Sequence, residues 1–339
     1  MSRRGVVEAM RKRIKLNDAC GAVAGRPAMS ANRWAVLLAG GDGIRLQELT
    51  RRISGDSRPK QFCRLIAGRS LFEQTRERID PLFPRTRQVP VLSRAHEKYY
   101  AGAVAEAAES RALVQPENRG TGVAIALASL HILSRDPQAM VSVFPCDHYF
   151  ADEESSRATI LSAENCAERH PGSIVLVGAE AEYPEIDYGW IEPGAVVSQT
   201  GAGPLCRVKR FWEKPREGQA AELMRLGCLW NTFVIVGQAR TLLELLRSQV
   251  PEAVLLTTQA LANLDAEGAY DRLPPVDFSR DVLAGESDRL LVLRDRDSGW
   301  ADLGSPPRVL ETLTRNGIHP DWVREETSLS IAKPPRVFV

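Results

Sequence analysis

Residues 34–62 read WAVLLAGGDGIRLQELTRRISGDSRPKQF, and they limit the fold more than any other stretch. An apolar run, Trp34 to Ala39, stops abruptly at Gly40-Gly41-Asp42-Gly43. A short run ended by glycines reads as a buried strand feeding a tight turn with exposed backbone. The amide N–H groups of such a turn can approach a polyphosphate, and Arg45 and Lys60 add positive charge nearby. The turn is built for anions. Two common glycine loops do not fit it. A dinucleotide fold needs G-x-G-x-x-G, but the sixth position from Gly41 is Leu46, and no Gly-Lys pair of a P-loop occurs in this region.

Downstream, strand-like and helix-like segments alternate, which predicts a mostly parallel sheet with covering helices. Ser70-Leu71-Phe72-Glu73 is a capping-box pattern opening a helix to about residue 79. Strands are expected at 89–92, 111–115, 140–144 and 174–177, and helices at 94–109, 121–133 and 153–169. After residue 180 the pattern loosens. Strands at 188–192, 206–213, 232–236 and 290–293 sit among Gly- and Pro-punctuated loops, with helices at 217–226, 238–248, 251–264 and 306–316. The expected architecture is α/β: a Rossmann-like domain over 34–305, its mixed, mostly parallel sheet flanked by helices, then a small tail at 306–339.

A chain of 339 residues with 44% apolar and 26% charged residues is an ordinary globular composition. The net charge of +1 gives no case for nucleic acid or an anionic membrane as partner. Residues 1–33 hold eight Lys/Arg against two acids, leaving the remainder at −5. That leader lacks the apolar core of a secretory signal and reads as a disordered basic extension, with Met29 as an alternative start. Six cysteines (20, 63, 146, 166, 206 and 228) are scattered without C-x-x-C or metal spacing, which suits reduced thiols in a cytoplasm. No apolar run approaches the ~20 residues that span a bilayer.

The pattern L-A-G-G-x-G-x-R-L followed by Pro59-Lys60-Gln61-Phe62 resembles the sugar-1-phosphate nucleotidyltransferases, and its Lys-Gln-Phe ending is most similar to the mannose-1-phosphate guanylyltransferases (GDP-mannose pyrophosphorylases). Further elements follow in the family's order. Pro145-Cys146-Asp147-His148 matches Pro-x-Asp-His, and Trp300-Ala301-Asp302-Leu303-Gly304 matches a late W-x-D-x-G. The resemblance implies Asp147 and Asp302 as ligands of Mg²⁺ or another divalent cation, an ion that takes one or two carboxylates plus phosphate oxygens. It implies Leu38, Ala39, Gly40, Gly41, Gly43, Arg119 and Thr121 at the nucleotide, and Arg45, Lys60, Asp147 and Lys214 as the charged catalytic set. Tyr188, Gly189, Glu192, Glu213, Lys214 and Asn231 fall at the sugar phosphate, and Asp277 in support of that site.

Departures from the family pattern are specific. Ile44 replaces Thr, Gly120 replaces Asn, Val123 replaces Pro, Trp190 replaces Tyr, and Phe233 replaces Gly. The arm from Leu46 to Arg58 is also longer. The resemblance implies nucleotidyl transfer from an NTP, GTP by the motifs, to a hexose 1-phosphate, mannose 1-phosphate by the same motifs. The base is not legible in Gly120 and Val123. Glucose 1-phosphate with dTTP or UTP, or a non-catalytic sensor of nucleotide sugars, are the alternatives. No second catalytic domain follows, so a fused isomerase is not expected, and a homodimer stays open.

Overall fold

Apolar strands and their covering helices come together as a layered α/β unit in a computed structural model, which describes residues 32–66, 68–105, 112–262, 267–295 and 297–323. Most of the basic leader, Cys20 and the last part of the expected tail lie outside the described residues. The strands are β1 (Arg33–Leu38), β2 (Gln88–Ser93), β3 (Leu113–Gln115), β4 (Met140–Pro145), β5 (His148–Phe150), β6 (Ile174–Glu180), β7 (Gly189–Thr200), β8 (Gly203–Glu213), β9 (Leu229–Gln238), β10 (Leu290–Asp295) and β11 (Trp300–Asp302). The helices are α1 (Gln47–Ser54), α2 (Leu71–Ile79), α3 (Glu97–Ala105), α4 (Gly120–Leu133), α5 (Glu153–Arg169), α6 (Glu217–Arg225), α7 (Ala239–Gln249), α8 (Pro251–Ala262), α9 (Glu267–Asp271), α10 (Phe278–Asp281) and α11 (Pro306–Arg315). No helix among the described residues is long and apolar enough to cross a membrane.

The main sheet has the order β3-β2-β1-β4-β9-β6-β10-β8-β7. Only β8 and β9 run against the others, so the sheet is mixed and mostly parallel, as the alternation predicts. One core, with Val36, Val143 and Leu176 on the sheet, lies under α4, α7 and α8. A second, with Leu37, Phe144 and Val175 facing the other way, lies under α2 and α5. Alternate residues of the same strands supply both cores, which is why β1 and β4 are apolar throughout.

Several boundaries differ from the expectation. The strands expected at 188–192 and 206–213 form a long hairpin, β7 and β8, whose register shifts at Glu192/Pro193 and again before Val196 and Ser198. Those bulges carry the strand past Pro193 and Gly194, residues that read as a break. Helix α1 has no counterpart in the expected elements; its charged sequence buries only Leu49 and Thr50. The 306–316 segment does not stand apart as a tail. Val309 and Leu313 of α11 pack with Leu46, Leu65 and Leu303.

Two features of this topology build a site. β1 pairs with β2 on one side and β4 on the other, so the chain leaves β1 at a switch point, where ligands bind in open α/β sheets. A separate two-stranded sheet sets β5 against β11, with Asp302 opposite His148. That short pairing brings two carboxylates, far apart in sequence, to one place.

Candidate active site

A cavity of about 610 Å³ opens at the carboxyl ends of β1 and β4, within the size range of small-molecule sites. Its walls include Leu38 at the end of β1, Gly40, Gly41 and Arg45 after it, Asp147 just before β5, and Asp302 of β11. Thr121 stands at the start of α4, while Tyr188, Gly189, Glu213, Lys214 and Asn231 come from the far strands. Asp277 lines it as well. Most of the residues singled out in the sequence therefore share one cavity.

The glycine turn is held from behind. Gln61 Nε2 donates to the carbonyls of Ala39 (3.0 Å) and Gly41 (2.7 Å). With its carbonyls tied back, the amides of Gly40 to Gly43 find no protein acceptor among the described residues and remain free to bind anions. Gly43 has φ +61°, and a Cβ there would lie 3.0 Å from the Lys60 backbone nitrogen, so both torsion and space require glycine. Pro59-Lys60-Gln61-Phe62 thus divides its work. Gln61 shapes the turn, and Phe62 anchors in a cluster with Phe72, Tyr99 and Tyr100.

Lys60 is the main correction to the sequence reading. It does not line the cavity; its ammonium sits between the two carboxylates, 3.2 Å from Asp147 Oδ2 and 3.2 Å from Asp302 Oδ1. A third proton is donated to the Leu303 carbonyl at 3.1 Å. Three donors meet three acceptors. Burial works against the ammonium, yet Asp147 and Asp302 outweigh it and hold Lys60 above its ordinary value. Burial likewise opposes charge on Asp147, and Lys60, then His148, bring that carboxyl below its usual range. His148 is pushed down by burial and accepts the Trp300 indole N–H at Nδ1, 3.1 Å away, so it buttresses the small sheet.

Other expected residues are arranged differently from their sequence assignment. Glu192 is not in the cavity; it pairs with Lys209 across the β7–β8 hairpin, three residues beyond Gly189, the β7 residue that lines the cavity. Arg119 also lies outside, bonded to Glu117 (2.9 Å) and to the Asp271 carbonyl (3.3 Å). Ala39 is buried outside the cavity, its amide donating to the Val91 carbonyl at 2.9 Å and its carbonyl accepting from Gln61. Arg45 reaches the rim but pairs with Asp187 at 3.1 Å.

Two of the departures from the family pattern, Gly120 and Phe233, have local causes. At Gly120, φ +83°, a Cβ would meet the Val276 carbonyl at 2.3 Å, and at Gly122 it would meet Val276 Cγ1 at 2.3 Å. The glycines admit the 272–277 loop, whose Val276 carbonyl accepts the Gly122 N–H at 2.8 Å. Thr121 Oγ1 accepts the Phe278 N–H at 2.9 Å. Phe233 keeps a glycine's torsion, with φ +59°. It sits in a bulge of β9, where the register with β6 jumps between Val177 and Gly178, and is aimed into the cavity against Phe278.

Lys214 is the other non-glycine residue at positive φ among the described residues, +47°, and it too lines the cavity. A side chain in that region costs about 1 kcal/mol relative to glycine, so strain is stored at a charged residue of the cavity wall. Lys214→Gly is expected to be more stable than Lys214→Ala by about 1 kcal/mol in denaturant unfolding. Equal stability of the two variants would remove the strain argument.

Glu213 offers a pH handle. Burial, then the nearby Asp277, raises its carboxyl to about 7 against the opposing charges of Lys214 and Arg280. Gly189 makes the room: a Cβ there would stand 2.9 Å from Phe211 and 3.0 Å from Glu213 Oε2. A raised carboxyl favours the folded state below its unfolded value, about 4.3, and loses that contribution as pH rises through 7. Glu213→Gln should therefore melt higher than the parent at pH 8, and the gap should close by pH 4. A gap that widens on acidification would reverse the assignment.

The sequence reading missed Gln115, Asp187, Glu185 and Arg308. Gln115 is buried beside Gly40, its Oε1 accepting the Tyr270 hydroxyl at 3.0 Å. Arg308 had a signal in the sequence: a cation in the first turn of a helix, where acids are favoured.

The family model described as nucleotidyl transferase matches residues 34–315. Among curated proteins, the chain is 29% identical over 283 residues to the alginate biosynthesis protein AlgA of Pseudomonas aeruginosa, covering 80% of this chain and 56% of that protein. It is 27% identical to the mannose-1-phosphate guanylyltransferase of Escherichia coli, covering 82% of this chain and 61% of that protein. The chain thus spans little more than half the length of these curated relatives. A crystal structure described as mannose-1-phosphate geranyltransferase from Thermus thermophilus superposes with TM-score 0.70 at 31% identity, covering 80% of this chain and 76% of that one.

Proposed function

This chain belongs to the nucleotidyl transferase family, and on that premise we propose that it moves a nucleotidyl group from an NTP to a sugar 1-phosphate. The finer reading is GTP and mannose 1-phosphate, supported by Pro59–Phe62, Pro145–His148 and the names of the relatives. One observation carries it: the β5–β11 register sets Asp302 beside Asp147 on the rim of the cavity that the glycine turn enters.

A sugar phosphate oxygen attacks the α-phosphorus in line, the bond to the β-phosphate breaks, and pyrophosphate leaves. The attacking oxygen is already anionic, so no protein nucleophile is required, and the work is positioning and charge neutralisation. The Gly40–Gly43 amides and Arg45 take the triphosphate, for which Arg45 must leave Asp187. Lys214 holds the sugar phosphate, while Glu213 and Asn231 accept or donate to its hydroxyls beside Gly189.

The two carboxylates fit a divalent cation, because they already converge on a cation, the Lys60 ammonium. Among the described residues no cluster of three or more His, Cys, Asp or Glu side chains is poised for a metal, which suits an ion that completes its shell with phosphate and water. Asp147 and Asp302 would hold Mg²⁺, whose chemistry here is to neutralise the triphosphate and ease the departure of pyrophosphate.

The test is pyrophosphate release by the full chain with Mg²⁺ across four NTPs and a set of sugar 1-phosphates. Turnover with GTP and mannose 1-phosphate is the expected result. Turnover confined to dTTP or UTP with glucose 1-phosphate would replace the finer reading. Nucleotide binding without turnover anywhere would leave a sensor in place of an enzyme.

A further inference from the structure

A smaller chamber of about 130 Å³ shares Asp302, Tyr188 and Trp300 with the main cavity, and Arg308 of α11 lines the smaller one alone. The side chains of Arg308, Asp302 and Glu185 are nearly buried, at 14%, 13% and 10% exposure. The Arg308 guanidinium donates to Asp302 Oδ2 at 3.3 Å and to Glu185, and it lies over the Tyr188 ring, 4.5 Å from its centroid. Its location is locally unfavourable. It occupies the first turn of α11, where the helix dipole favours anions, and that turn carries no acid. A local conflict of this kind points to a role outside the helix.

The two oxygens of Asp302 have separate partners. Oδ1 faces Lys60 and the seat shared with Asp147, whereas Oδ2 faces Arg308. Gly304 is fitted around the second contact: a Cβ there would stand 2.8 Å from Asp302 Oδ2 and 3.1 Å from Arg308 Nη1. Charges alternate without a break along Glu185, Arg308, Asp302, Lys60 and Asp147. When Lys60 gives way to another cation, Arg308 is the contact that still fixes Asp302.

We infer that Arg308 is a positioning residue for the reaction: it pins Oδ2 of Asp302 so that Oδ1 stays aimed at the cation seat it shares with Asp147. This rests on the divalent-cation reading given above. Partners of a metal-binding carboxylate commonly tune affinity 10–100-fold, which sets the scale of the effect.

The experiment titrates Mn²⁺ into the full chain with saturating tripolyphosphate and follows the enhancement of water proton relaxation, which reports protein-bound ion. The parent protein should bind, and Asp147→Asn should not. Arg308→Met should weaken Mn²⁺ binding about tenfold or more, and Arg308→Lys should recover part of that loss. The Mg²⁺ concentration for half-maximal turnover should rise by the same factor in Arg308→Met, with kcat at saturating Mg²⁺ less affected. Thermal melting of each variant separates a structural loss, and Gly304→Ala, which presses on the same contact from the backbone, serves where Arg308→Met does not fold. Mn²⁺ binding by Arg308→Met within twofold of the parent, whatever its melting point, overturns the inference while leaving the cation seat intact. Equal binding by the parent and Asp147→Asn, or none by either, overturns the cation seat and this inference with it.

Discussion

Asp147→Asn is expected to cut pyrophosphate release by about a thousandfold, some 4 kcal/mol of transition-state stabilisation, while costing only about 1 kcal/mol of folding stability. The imbalance follows from the geometry. Asparagine keeps the shape of the side chain and removes only its charge. The Lys60 ammonium would still have Asp302 Oδ1 and the Leu303 carbonyl, at 3.2 and 3.1 Å, so no buried cation is left alone. Asp147 is also the more open of the two carboxylates, with 34% of its side chain exposed against 13% for Asp302. Its charge is spent on whatever enters the cavity more than on the fold. Turnover near the parent level, measured beside a thermal melt, would remove Asp147 from the reaction. A large fall in melting point with proportionate loss of turnover would make it a structural residue.

How much of this is legible in the sequence depends on how local each cause is. The strand from Trp34 into the glycine turn, the MVSVF strand and the helix over 153–169 follow from patterns within a few residues of one another. Each is present in the structure. So is the capping box, in which Ser70 and Glu73 satisfy each other's backbone N–H groups. The long hairpin reads short in the sequence because Pro193 and Gly194 resemble a stop, and bulges that absorb them leave no mark in periodicity. Strands β5 and β11 hold three residues each, too few for any period, yet their pairing is what unites Asp147 with Asp302.

Side-chain direction is the least legible link. A motif places Lys60 and Glu192 along the chain but does not give the face on which each lies. Lys60 turns inward between two carboxylates; Glu192 turns across the hairpin to Lys209. Phe233 shows the converse. A change of residue type suggests a changed pocket shape, but the backbone keeps the left-handed torsion a glycine would adopt. Bulge and bonding hold it there: Thr232 Oγ1 donates to the Val177 carbonyl at 2.7 Å, and Asn231 Oδ1 accepts the Phe233 N–H at 3.1 Å.

Lys60→Met should invert the pH dependence of stability around the cation seat. In the parent, the Asp147 carboxyl lies below its ordinary value, so its pairing with Lys60 stabilises the fold above the unfolded value of about 3.9 and is lost as pH falls. The raised Lys60 contributes below about 10.4 and is lost only as pH rises through its higher folded value. Below roughly pH 4 the parent therefore gains stability with rising pH, and from there to the alkaline range this seat adds no slope. Methionine fills similar volume but leaves Asp147 and Asp302 facing each other without the ammonium. Like charges sharing a site force one carboxyl of the pair upward, so the variant should be most stable in acid and weaken as pH rises through that value. At pH 7 the loss should reach about 3 kcal/mol, the scale for breaking a buried ion pair by removing one partner. A cation supplied from solution should restore part of it. Millimolar Mg²⁺ should raise the melting point of Lys60→Met by several degrees and move the parent much less, since in the parent the ammonium already occupies the seat. Parallel stability profiles for the two proteins from pH 4 to 8, with no selective response to Mg²⁺, would mean that Asp147 and Asp302 do not form a cation seat.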